Sequence, residues 1–345
     1  MKQAQIAIIG GGIAGLTAAA YLARAGQVVT VLEKSHALGG RARTEEKQGF
    51  AFNLGPHALY RKAHGAAILR ELGVAYHGTN PGTAGAYLLD HGQKYTMPGG
   101  AVSLLTTSFL PLPAKMEAAR LLAGIGNINA AAYDRMSVRD YLAQTIQHPR
   151  VRQLVQTLFR VTTYAHDPDR QSAGAALAQL QAGLADGVLY LDGGWQTLVE
   201  GLRQAAEDAG AHLQTGASVS TLTRQGQVWL LHCADGRQLS AASVLLALGP
   251  GEAAALLKGQ GKTLLDEWAS AAIPVRVACL DVALARLPLL HGRFALGVEQ
   301  PHYFSVHSAT AKIAPDNGAL IHVAKYLGTD VSAAHDVEQE LEGVL

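Results

Sequence analysis

The chain has 345 residues, 49% hydrophobic and 16% charged, with a formal net charge of +1. That length suggests about two domains around a large interior, and the near-neutral balance, with no Lys/Arg-rich block and no zinc-finger spacing, excludes nucleic acid as the expected partner. The two cysteines, Cys233 and Cys279, are too few for a disulfide framework. Both fall in apolar runs that read as strands, so they are expected to be small buried hydrophobes in a reducing, cytoplasmic setting.

Residues 3–23 carry no charge and follow Lys2, a pattern shared with signal peptides and membrane spans. Gly10, Gly11 and Gly12 would weaken a helix in the middle of that run, and a strand, a glycine turn and a helix account for the same residues better. Residues 5–9 read as a buried strand, 13–25 as an Ala-rich helix closed by Gly26, and 27–33 as a β-branched second strand. A strand–helix–strand unit of this kind makes parallel strands.

Further along, residues 86–89 and 94–97 flank Asp90-His91-Gly92-Gln93 as a hairpin, and 115–124, 138–144, 151–159 and 173–184 read as helices. Residues 195–209 have helical periodicity. Strands follow on both sides of Arg224-Gln225-Gly226, with a second turn at Asp235-Gly236, then a buried strand at 243–248. Residues 275–284 and 319–326 read as strands of a second lobe, and 331–341 as a polar helix.

Gly10, Gly12 and Gly15 form G-x-G-x-x-G between a strand and a helix. The first glycine permits the tight turn, the second lets the backbone approach a pyrophosphate, and the third lets helix and strand pack closely. The helix start, with Ile13 and Ala14, offers free N–H groups to phosphate. Glu33 ends the second strand where a carboxylate can accept hydrogen bonds from a ribose 2′-OH, which argues against a 2′-phosphate. This motif does not separate NAD from FAD. A second pattern, Gly249-Pro250-Gly251-Glu252-Ala253-Ala254, could hold a nicotinamide nucleotide, but no strand ending in an acid follows it, because 264–268 reads as helix.

Gly39-Gly40-Arg41-Ala42-Arg43 then places a glycine pair and two arginines after the second strand, which suits phosphate. Here residues 4–60 resemble the FAD-binding start of the flavin amine oxidase, protoporphyrinogen oxidase and phytoene desaturase superfamily. The run Asn53-Leu54-Gly55-Pro56-His57 is similar to a segment that runs beside the flavin in that superfamily, with Asn53 where many members have Asp. Leu191-Asp192-Gly193-Gly194-Trp195 is similar to the glycine pair at which the chain returns to the FAD domain, and Val219 to a strand residue that touches the adenine side through its backbone.

The resemblance implies a two-lobe α/β protein: a discontinuous Rossmann-like FAD-binding domain over 1–73 and 188–263, and an inserted α+β substrate lobe over 74–187 and 264–345. The cofactor-binding candidates are Gly10, Gly12, Ile13, Ala14, Gly15, Glu33, Lys34, Gly39, Gly40, Arg41, Gly55, Pro56, His57 and Val219. No G-x-S-x-G, no H-E-x-x-H, no metal spacing and no catalytic base emerge. The implied activity is FAD-dependent removal of two hydrogens, hydride passing to flavin N5, from an apolar carotenoid- or isoprenoid-like substrate. An amine or protoporphyrinogen oxidase, or a non-catalytic flavin-binding scaffold, are the alternatives. The charge-free run 103–113 is too short to span a bilayer and reads either as core helix or as a peripheral membrane contact. The resemblance also implies a late strand and helix with a Gly-Asp motif facing the flavin ring. Nothing of that pattern follows Tyr326, so the chain is expected to be incomplete as a catalyst.

Overall fold

The structure, a computed structural model, describes residues 3–258, 263–287, 292–328 and 334–345. It divides into two compact units. The first comprises 1–45, 67–76 and 195–274, and the second 46–66, 77–194 and 275–345.

The first unit is built on a six-stranded sheet in the order His212–Gln214, Val29–Leu32, Gln3–Ile9, Gln238–Leu246, Val228–Cys233, Val219–Gln225. The first four strands are parallel and the last three are joined as antiparallel hairpins. All four residues of Val29–Leu32 are buried, as an apolar run in a parallel sheet should be. Helix Ile13–Arg24 returns the chain between the first two strands. It buries Gly15, Leu16, Ala19, Ala20 and Ala23 on one face and packs against helix Gln196–Asp208, which buries Leu198, Val199, Leu202 and Ala206. The expected strand at 243–248 is the end of the longer Gln238–Leu246.

The second unit has its own six-stranded sheet, in the order Arg276–Leu284, Ala319–Leu327, His302–Val306, Phe294–Gly297, Ala86–Asp90, Gln93–Thr96. Helices Leu112–Gly124, Val138–Thr145, Pro149–Thr163 and Ala173–Asp186 supply the rest of its core, in which Leu88, Phe109, Tyr141, Leu154, Phe159, Leu177 and Tyr326 are buried together. Ser137 and Ser172 cap two of these helices, accepting from the N–H of Asp140 and Ala175. The polar helix expected at 331–341 is seen as Ala334–Glu342, while 331–333 lie outside the described residues.

Two features differ from the sequence reading. Residues 46–66 and 188–194 pack within the second unit, because strand Val188–Leu191 pairs with Leu59–Tyr60 and Gly78–Thr79, and Phe50 joins Tyr190, Ile313 and Leu320 in one cluster. Residues 264–274 and 74–76 go with the first unit: helix Leu264–Ala271 lies on Pro250–Leu256, and Val74 sits against Gly201. Cys233 is buried as expected, but Cys279 is exposed, because it stands on the edge strand of the second sheet.

Candidate cofactor site

The turn at residues 10–12 is shaped by two contacts that only glycine permits. Gly10 has φ +106°, and a Cβ there would lie 2.5 Å from the Ala247 carbonyl oxygen. A Cβ on Gly15 would overlap the Gly10 carbonyl oxygen, so the helix is held directly against the turn. Gly12 is different. It is the N-cap of the helix, with an ordinary φ of −77°, and a Cβ there would meet nothing nearer than the Gly39 oxygen at 3.9 Å. A Cβ at Gly12 would therefore meet little protein, and the first N–H groups of the helix beside it have no intrahelical acceptor. Ile13 is half-buried and Ala14 exposed at this helix start.

Glu33 is 8% exposed. Its Oε2 accepts from the Gly11 N–H at 2.6 Å and its Oε1 from the Ser35 N–H at 2.8 Å. Each oxygen keeps a further lone pair, so the carboxylate is both fixed and able to accept from a diol. Gly39 donates its N–H to the Gly11 oxygen at 2.8 Å, which brings the second glycine pair against the first turn, with Gly40 next to it. Lys34 and Arg41 are exposed at the rim. The Ala217 N–H donates to the Glu33 oxygen at 2.8 Å, so Val219, two residues on, opens a strand beside the Glu33 segment.

One residue of this neighbourhood was read as suiting phosphate but was not among the cofactor-binding candidates. Arg43 is half-buried, its Nε has no hydrogen-bond partner among the described residues, and its stem lies against Gly39. Its place in the GGRAR run was the only signal. The other glycine pattern, at 249–254, opens a seven-residue helix, Pro250–Leu256, over whose start the Glu252 carboxylate folds. A carboxylate at that position repels phosphate.

In the second unit Gly55 and Pro56 are buried and His57 is half-buried, with its Nδ1 2.9 Å from the Gly55 oxygen. Tyr164, in a left-handed C-cap conformation at the end of Pro149–Thr163, donates its hydroxyl to the Pro56 oxygen at 2.8 Å. Burial pushes the Tyr164 hydroxyl well above its ordinary value, which keeps it a donor. Among the described residues no group of His, Cys, Asp and Glu could hold a metal, and no helix is long and apolar enough to cross a membrane.

The chain belongs to the flavin containing amine oxidoreductase family, whose model matches residues 13–276. It is 29% identical over 300 residues to a hydroxyneurosporene desaturase of Cereibacter sphaeroides, a match covering 74% of this chain and 57% of that protein. It is 28% identical over 269 residues to a carotenoid 3,4-desaturase of Haloarcula japonica, covering 67% of this chain and 53% of that protein. The chain thus spans little more than half the length of these relatives. Among solved structures, a Pyrococcus furiosus protein matches with a TM-score of 0.77 at 19% identity, over 100% of this chain and 84% of its own. The α/β fold is therefore that of the family, and the cofactor is FAD.

Replacing Glu33 with Ala is expected to weaken FAD binding by about 1–3 kcal/mol, since it removes a charged acceptor and leaves the Gly11 N–H without its partner. Titration of the variant with FAD measures this directly.

Proposed function

We propose that this chain is an FAD-dependent oxidoreductase that removes two hydrogens from an extended apolar substrate of the carotenoid-precursor kind. The observation that carries the reading is the match to a hydroxyneurosporene desaturase over 74% of the chain. Bound FAD would accept the hydride. In the first unit, Gly10, Gly12, Ile13, Ala14 and Gly15 would hold the pyrophosphate and Glu33 the ribose. Gly39, Gly40, Lys34 and Arg41 would line the phosphate side and the Val219 backbone the adenine. Gly55, Pro56 and His57 would flank the ring, with Tyr164 fixing the Pro56 peptide. These groups bind and orient, and positioning is the main protein contribution such a step requires.

A peripheral contact with a membrane is part of the same reading. Val102, Leu105, Leu112 and Met116 are 63–75% exposed on helices Ala101–Thr106 and Leu112–Gly124, where an apolar substrate dissolved in lipid could be met. Amine oxidation, the chemistry in the family's name, is the second reading. Anaerobic bleaching of the flavin separates the two. Micellar carotenoid precursors are expected to reduce it, and primary amines are not. Rapid reduction by simple amines, with none by the polyenes, would establish amine oxidation instead.

A further inference from the structure

Helix Leu112–Gly124 borders a groove of about 740 Å³ that lies wholly within the second unit. Pro113, Met116, Glu117, Arg120, Leu121 and Gly124 line it, with the three- and four-residue spacing of a single helical stripe. Ile128, Thr145 and residues 147–149, which lead into helix Pro149–Thr163, complete the lining. None of these residues is among those placed on FAD.

The stripe is apolar at Pro113, Met116 and Leu121, and Ile128 and Pro149 add to it. Met116 and the adjoining Leu112 are 63% and 71% exposed, apolar area that a hydrocarbon chain would remove from water. Glu117 is the one carboxylate of the lining, and both of its oxygens are engaged. Oε1 accepts from the Gln147 N–H at 2.6 Å and Oε2 from the His148 N–H at 2.8 Å. Its charge is thereby set against the positive end of helix Pro149–Thr163. Arg120 is exposed, and its guanidinium makes no hydrogen bond or ion pair among the described residues. His148 accepts from the Arg150 N–H at Nδ1, 3.1 Å away, so the neutral ring carries its proton on Nε2 and offers a donor there. The charged group left for a ligand is therefore a cation, and it stands on the same stripe as the apolar side chains.

We propose that this groove binds a long-chain carboxylate, with its head on Arg120 and its hydrocarbon chain along Met116, Leu121 and Ile128. A chain headed by an ammonium group would meet Arg120 with like charge and find no open carboxylate. A neutral chain would leave the guanidinium without a counterion. The volume falls in the range of small-molecule sites, about 300–1,000 Å³, and suits one chain. The site shares no residue with the cofactor site, so it stands apart from the desaturase reading. Met116 belongs as well to the exposed apolar face at which a bilayer could be met, and experiment separates the two occupants.

The test is calorimetric titration of the full chain with dodecanoate held below its micellar limit. One dodecanoate per chain is expected to bind, and dodecyltrimethylammonium at least about 10-fold more weakly. Arg120→Gln is expected to lower the affinity for dodecanoate about 10-fold and to leave that for dodecanol unchanged. Met116→Gln is expected to lower both about 4-fold. Both side chains are exposed, so the thermal midpoints of the variants should match the wild type. Dodecanoate affinity unchanged in Arg120→Gln would overturn the proposal, as would an ammonium chain bound as tightly as the carboxylate. Arg120-dependent association with phosphatidylglycerol vesicles, in a chain that takes up no monomeric dodecanoate, would overturn it in favour of a bilayer.

Discussion

Gly12→Val is expected to leave the fold intact and to cut FAD affinity about 100-fold or more, close to 2.7 kcal/mol. Gly15→Val is expected to unfold the site before binding is reached. The contrast follows from what each Cβ would meet. At Gly12 the backbone conformation is open to any residue, and the nearest protein atom is 3.9 Å away. A side chain there costs the apoprotein little and occupies the volume a pyrophosphate needs. At Gly15 the Cβ would overlap the Gly10 carbonyl oxygen, and neither helix nor strand can withdraw without breaking the sheet register of Gln3–Ile9. Overpacking of that kind costs about 3 kcal/mol. Thermal midpoints and FAD titrations of both variants check the pair. A Gly12→Val protein that binds FAD as the wild type does would remove the phosphate from this turn.

The parts of the fold that depend on local pattern were legible in the sequence. The glycine turn, helix Ile13–Arg24 and strand Val29–Leu32 each announce themselves through periodicity, β-branching and a closing glycine, and Glu33 stands where strand length puts it. The hairpin of Ala86–Asp90 with Gln93–Thr96 follows from its Asp-His-Gly turn. What failed was long-range. Strands Phe294–Gly297 and His302–Val306 are short, and their place in the sheet is set by pairing with Ala86–Asp90 and Ala319–Leu327, far away in sequence. The compact units are cut differently from the expected domains, since Val188–Leu191 pairs with Leu59–Tyr60 and Gly78–Thr79, partners far away in sequence. Cys279 sits in an apolar run, and nothing local says that the run is a sheet edge. The edge-to-face contact of His307 with His322 was invisible because the two are 15 residues apart on different elements and meet only when the sheet forms.

Arg160 shows what such long-range placement costs and gives in return. In sequence it is one more residue at the end of an amphipathic helix. In the structure it is 4% exposed and faces no carboxylate among its described hydrogen-bond partners. It directs Nη2 at Thr157 Oγ1 at 2.9 Å, the Gly297 oxygen at 2.9 Å and the Val298 oxygen at 2.8 Å, while its Nε has no partner among the described residues. Burial lowers its pKa to about 10, which still leaves it charged at neutral pH. The guanidinium is thus compensated by carbonyl dipoles at the end of strand Phe294–Gly297, and those carbonyls accept from it. Arg160→Ala is expected to cost about 3 to 5 kcal/mol, combining a cavity with buried carbonyls left unpaired. Arg160→Met should recover the packing share but not the polar one. The urea midpoint of each variant, at unchanged m, reads the difference. A loss below about 1 kcal/mol in Arg160→Ala would mean that water reaches Gly297 and Val298 once the side chain is gone, and that the arginine is tolerated there rather than required.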